Sequence, residues 1–198
     1  GWEHIGPAYK ALETHELGAS ETRGDSGPLN VTQPDVSDKL SQMMVDAGAS
    51  LGWSRKEDIN EPNDAEGVGF AARTIFKGKR QSAATAFINP IRNRKNLVIH
   101  TDTMTDKVLF RGNRALGVSC ICNGETREFL AAKEVILAGG AMASPGILER
   151  SGIGDPKILA GLGIPLLHAN PAVGENLVEH RGLLMQWKLS QNISHNKY

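Results

Sequence analysis

The chain has few aromatic residues (5%), only two cysteines, and no net charge, 22 Lys plus Arg being balanced by 22 Asp plus Glu. Each shortage excludes something. Balanced charge removes the electrostatic footprint of a nucleic-acid or anionic-membrane binder. No apolar run approaches the roughly 20 residues of a membrane-crossing helix, so no membrane span is expected. Cys120 and Cys122 are too few to staple a secreted scaffold. On one strand they would project from the same face a pleat apart. That suits neither a disulfide nor a metal site, and they read as small half-buried hydrophobes. The acidic residues of segment 54–69 lack the ordered spacing of a calcium loop and read as solvated surface. No metal is therefore expected. The chain also lacks an initiating Met and a signal peptide, and it stops in the polar run Ser194-His195-Asn196-Lys197-Tyr198. Both ends read as cuts in a longer protein, so the missing targeting signal says nothing about compartment.

What is present fits an ordinary folded protein. At 198 residues, 40% hydrophobic and 22% charged, the chain has material for one domain or parts of two. Its 22 glycines imply tight turns and close backbone approaches rather than a helical bundle.

Along the chain, Pro7 suits the first turn of a short helix through Tyr9 and Leu12, broken by Gly18. Arg23-Gly24-Asp25-Ser26-Gly27-Pro28 reads as a turn-rich loop. A helix follows from Asp35, with Val36, Leu40, Met43, Met44, Ala47 and Leu51 at helical spacing. Asp35 or Ser37 would cap it, Gly48 or Gly52 would end it, and its Met pair would pack in the core. Glu61-Pro62-Asn63-Asp64 reads as a loop, and Ala83 to Ile88 as a helical run closed by Asn89-Pro90.

The second half reads differently. Asn96 to Thr101 is a short strand signal. Lys107 to Phe110, Ala115 to Cys122 and Thr126 to Leu130 are β-prone runs separated by Gly112-Asn113 and Asn123-Gly124, the pattern of a three-stranded antiparallel meander. Glu134 to Ala138 is an apolar run with few polar breaks and suits a strand buried on both faces of a parallel sheet. Gly139-Gly140 ends it. Ser144 as N-cap and Pro145 at the first helical position would start a helix to about Arg150. Asp155-Pro156 repeats that device for a second short helix with Ile158, Leu159 and Leu162 on its apolar side, and 171–176 is a loop. Leu183 to Leu189 resumes a strand-like pattern.

A strand, a glycine turn and a capped helix can form a phosphate or dinucleotide site, because a helix N-terminus offers unpaired N–H groups and partial positive charge. Alone this is a weak signal, since Gly139-Gly140-Ala141 is not a G-x-G-x-x-G fingerprint. The wider stretch Gly140-Ala141-Met142-Ala143-Ser144-Pro145-Gly146-Ile147-Leu148-Glu149-Arg150-Ser151-Gly152-Ile153-Gly154 carries more. It resembles the second signature of the glucose–methanol–choline (GMC) oxidoreductase family at every constrained position. Gly78-Lys79-Arg80 with Ser82-Ala83-Ala84 resembles the family's Gly-x-Arg-x-Ser-Ala segment. Val173-Gly174-Glu175-Asn176-Leu177-Val178-Glu179-His180 is similar to its Val-Gly-x-Asn-Leu-x-Asp-His, with Glu179 where Asp is usual. The likeness covers nearly the whole chain and is strongest over 78–182.

The resemblance implies an α/β fold: part of an FAD-binding Rossmann-like sheet over 93–165 with an antiparallel β-meander insertion, plus parts of an α+β substrate domain. Residues 1–92 would be substrate-domain and connecting segments. Residues 166–198 would be the return loop and the start of the substrate-domain sheet. It implies FAD as cofactor and a small-molecule alcohol as substrate, oxidised at its CH–OH group with hydride transfer to the flavin. It fixes neither the alcohol nor the electron acceptor. Matched residue by residue, Thr105 would contact the adenine through its main chain, and Ala138, Gly139, Gly140 and Ala141 would lie along the ADP half. The family's pyrophosphate turn and catalytic His have no counterpart here, so no catalytic residue is expected in this chain. The histidines at 4, 15, 100, 168, 180 and 195 are read as structural or surface residues. Two rival readings are an FAD-containing hydroxynitrile lyase of the same fold and a non-catalytic interaction module. Without the pyrophosphate turn the chain alone is expected to hold FAD weakly and to expose unpaired sheet edges.

Overall fold

The computed structural model describes residues 1–60, 66–183, 186, 188–191 and 193. The chain divides into two units, Gly1–Val98 with Gln186–Tyr198, and Ile99–Met185.

In the first unit, helix α1 (Trp2–Leu12) leads directly into strand β1 (Glu13–His15), which pairs in parallel with β2 (Leu29–Val31). Pro7 does not open α1 but sits inside it. It is exposed there, so the carbonyl left without its N–H partner can be hydrated, while Gly6 lies buried under the Trp2 ring. Helix α2 (Lys39–Ser50) is capped by Asp38, whose carboxylate accepts the Ser41 N–H at 2.8 Å. Asp35 is not the cap: its carboxylate already accepts the Ser37 N–H at 2.9 Å in a preceding turn. Gly48 does not end α2 either. It is buried within it, and a Cβ there would stand 3.0 Å from the Val68 side chain. Gly52, at φ +95°, does follow the helix end. That close approach at Gly48 decides which face turns inward. Val45 and Gly48 are buried, whereas Met43 and Met44 are 48% and 67% exposed, so the Met pair is not core.

Strand β3 (Ser54–Lys56) pairs in parallel with β4 (Gly67–Gly69), and β5 (Ile75–Phe76) with β6 (Lys79–Arg80) in a hairpin turning at Lys77-Gly78. The expected loop over 61–64 lies outside the described residues. The run after Ser82 forms a π-helical turn (Ala84–Ile88), and Asn89-Pro90 continues it as a 3-10 turn (Asn89–Ile91) instead of closing it. Asp58 contradicts the solvated reading of its segment. It is 5% exposed, and its carboxylate accepts from Arg23 at 3.2 Å and from the Asn60 N–H at 2.9 Å. Buried His15 stands beside it, with Nε2 3.8 Å from the same carboxylate. His15 Nδ1 accepts the Leu17 N–H at 3.1 Å, which assigns its proton to the nitrogen facing Asp58.

In the second unit, β7 (Thr103–Arg111), β8 (Arg114–Cys122) and β9 (Glu125–Leu130) form the expected antiparallel meander. Asn123 and Gly124 both have positive φ (+52° and +83°), the signature of a type I′ turn. Cys120 and Cys122 are free, buried on one face of β8, and opposed by Thr105 and Thr103. Beyond the sheet come α3 (Gly140–Arg150), β10 (Ile153–Gly154), α4 (Pro156–Gly161) and β11 (His168–Ala169), with β10 and β11 paired in parallel. Asp155 caps α4 as expected, accepting from the Lys157 and Ile158 N–H groups. Only Leu159 of its apolar side is fully buried, while Ile158 and Leu162 are exposed.

Two expected strands do not form. Residues 97–101 and 134–138 carry no strand. A strand needs a ladder to join, and none of the described residues pairs with either segment. Segment 134–138 is accordingly not buried on both faces, and Ile136 is 78% exposed. The strand expected over 183–189 falls partly on residues outside the description, and the described ones carry no strand. The whole is a mixed α/β chain with small sheets, which fits a partial Rossmann-like fold.

Candidate cofactor site

The site is built where segment 134–138 meets α3. Two glycines make the junction: Gly139 at φ −78° and Gly140 at φ +81°. The left-handed conformation at Gly140 reverses the chain, and α3 begins there rather than after Ser144. Met142 and the alanines 141 and 143 are good helix formers, so a full turn precedes Pro145. Ser144 is therefore no N-cap, and Pro145 lies inside α3. The cap position, Gly139, has no side chain and α3 receives no side-chain cap bond. The N–H groups of its first turn thus lack intrahelical partners and can donate to an anion.

Beside this turn is a cavity of 470 Å³ whose wall includes Thr105, Glu134, Leu137, Ala138, Gly139 and Ile147. Of the five residues expected at a cofactor, Thr105, Ala138 and Gly139 line this one cavity. Gly140 forms the turn at its edge. Ala141 faces a second cavity of 630 Å³ between α3 and the loop 172–178. Gly174 of that loop, at φ +81°, lies so close to α3 that a Cβ would reach Pro145 and Glu149. Thr105, also in the wall of the first cavity, precedes a register shift in β7: Thr105 pairs with Cys120 and Lys107 with Ser119, leaving Asp106 as a bulge. Bulges re-aim main-chain groups beside sites. No local sequence signal marked this bulge, nor the contribution of Ile147 and Glu134.

The cavity volume lies in the range of about 300–1,000 Å³ typical of small-molecule sites. Its walls are mainly apolar, with main chain and two polar side chains at hand. That suits a flat heteroaromatic ring, and the uncapped helix end suits the phosphates attached to it, so the residues present fit the ADP half of FAD. The histidines are elsewhere. His100 is exposed with its ring 4.7 Å from that of Phe129, and His180 is an exposed loop residue whose N–H meets Glu179. His195 lies outside the described residues. Among the described residues no cluster of His, Cys, Asp and Glu could hold a metal ion, and no helix is long and apolar enough to cross a membrane.

A family model described as GMC oxidoreductase matches residues 1–181. The chain belongs to the GMC oxidoreductase family. It is similar to oxygen-dependent choline dehydrogenase of Pectobacterium carotovorum, 38% identical over 98% of this chain and 35% of the relative. It is also similar to human mitochondrial choline dehydrogenase, 40% identical over 98% of this chain and 33% of that protein. The chain therefore spans about a third of the length of these curated relatives. Among solved structures it resembles pyridoxine 4-oxidase from Mesorbium loti, with TM-score 0.80 and 32% identity over 86% of this chain and 34% of that one. An FAD-dependent oxidoreductase from Chaetomium thermophilum gives TM-score 0.79 and 30% identity over 86% of this chain and 32% of that one. GMC family members such as choline dehydrogenase are FAD-dependent alcohol oxidoreductases.

Proposed function

We propose that this chain supplies the adenine-side wall of the FAD site in an FAD-dependent oxidoreductase that converts a small alcohol to a carbonyl. The observation that carries this reading is the convergence of Thr105, Ala138 and Gly139 on one cavity at the uncapped start of α3. Bound FAD would supply the hydride acceptor for the CH–OH carbon. Thr105 offers main-chain groups at the bulge to the adenine edge. The main chain of Ala138, Gly139 and Gly140 lets the ADP moiety lie against the turn without a side chain intervening. The first-turn N–H groups of α3, with Ala141 among them, orient toward negative charge. Within this reading residues 93–165 belong to the FAD-binding domain, and most of them fall in the compact unit Ile99–Met185. Residues 1–92 and 166–198 serve the substrate domain and the return loop. Catalytic acid–base chemistry is assigned to a His outside this sequence.

The test uses the full polypeptide that carries this chain. Anaerobic addition of a panel of primary and secondary alcohols, choline included, should bleach the flavin absorbance of the purified protein. A flavin spectrum that no alcohol changes, with cyanide released from a cyanohydrin, would refute the oxidoreductase reading in favour of a lyase.

A further inference from the structure

The C-terminal end of α3 is fastened to β7 by two consecutive side chains that lie outside the cavity. Arg150 Nε donates both to the carbonyl of the bulged Asp106, at 2.8 Å, and to its carboxylate, at 3.0 Å. Ser151 Oγ accepts the Val108 N–H at 2.8 Å and donates to the Ile147 carbonyl at 2.6 Å. Gly146 clears a path for Arg150, since a Cβ there would stand 3.2 Å from its Nη1. Both grips lie next to residues of the cavity wall: Ile147, to which Ser151 also donates, lines the cavity, and Asp106 follows Thr105, which lines it too.

These bonds matter because apolar packing alone leaves the angle of a helix loosely set, with scatter of about 15–20° in crossing angle. The eleven residues of α3 span about 16 Å, so a tilt of about 10° at the fastened end would swing the glycine turn by about 3 Å. Hydrogen bonds with two different partners on β7 remove that freedom, because they are directional.

We propose that Ser151 and Arg150 are positioning residues for the cofactor cavity. By fastening α3 to Asp106 and Val108 of β7 they set the spacing between Thr105 and the Ala138–Gly140 turn, and with it the affinity for the ADP half of FAD. The inference rests on the cofactor reading above. A merely stabilising role would lower the melting temperature and leave affinity alone.

The experiment measures ADP and FAD dissociation constants on the full-length apoprotein, well below the melting transition. Ser151→Ala and Arg150→Gln should each weaken ADP binding roughly tenfold, as loss of a supporting shell does, and Ser151→Thr should restore it. Leu159→Ala, a destabilising control at a fully buried residue that does not line the cavity, should leave ADP affinity within about twofold because distant sites act independently. If Ser151→Ala should fold poorly, the half-exposed Arg150 still provides the test. Wild-type binding with both clamp variants unchanged, or weakened no more than Leu159→Ala, overturns the proposal while sparing the cofactor reading. Failure of the wild type to bind either ADP or FAD overturns the cofactor reading itself and the clamp's purpose with it.

Discussion

Gly140 offers a clean separation of backbone conformation from steric room. Its φ is +81°, and a Cβ built on it meets nothing within 4 Å. Gly140→Ala therefore introduces no clash, only the left-handed penalty of an L-residue, about 1–2 kcal/mol. Against this, alanine narrows the unfolded ensemble and returns about 0.4–1 kcal/mol. The net expectation is a loss of about 1 kcal/mol, a fall in melting temperature of about 2–8 °C depending on the size of the cooperative unit. Gly140→Asn should cost less than Gly140→Ala, because asparagine tolerates this region; Asn123 and Asn176 already occupy it at +52° and +59°. Thermal and urea unfolding followed by far-UV circular dichroism measure both, with an unchanged urea slope as the check that the folded state is the same. An alanine variant as stable as the wild type, or an asparagine variant worse than the alanine one, would show that the turn does not need a left-handed residue. The reading of α3 as starting at Gly140 would then fall.

Asp155→Ala should cost about 1 kcal/mol through loss of the α4 cap, with Asp155→Ser keeping most of it; matched urea midpoints for the three proteins would refute this. Asp58→Ala should cost about 1–3 kcal/mol by removing the buried carboxylate that accepts from Arg23 and the Asn60 N–H, and Asp58→Asn less, since an amide oxygen can still accept from both. Equal stability of Asp58→Ala and wild type would mean the cluster is not energetically coupled. The isolated 198-residue chain, titrated with FAD by flavin fluorescence, should show a dissociation constant above about 1 μM because it lacks the G-x-G-x-x-G turn at a helix N-terminus; submicromolar binding would contradict this.

Much of the fold was legible where the signal is local. Asn123-Gly124 demands a turn with two positive φ values, so the β8–β9 hairpin follows from a dipeptide and two β-prone runs. Asp155-Pro156 carries its own cap and its own fixed φ, so α4 starts where it must. The family signature from Gly140 to Gly154 likewise marked the glycine turn that opens α3, because glycine spacing is written in the chain.

What depended on partners was not legible. Glu134 to Ala138 has the composition of a buried strand, but a strand exists only where another segment supplies the ladder, and here it is an unpaired wall of a cavity. Met43 and Met44 share an apolar face of α2, yet Gly48 allows a closer approach than methionine does, so β4 packs on the glycine side. Asp58 sits in a charged run that reads as surface, and its burial is decided by Arg23 and His15, far away in sequence. The same holds at the site. Sequence marked the glycine turn before α3, while the Asp106 bulge arises only when β7 pairs with β8, and the bonds from Arg150 to Asp106 and from Val108 to Ser151 only when α3 folds back onto β7. Local backbone chemistry is set by neighbours in the chain, and spacing between walls is set by contacts that only tertiary structure creates.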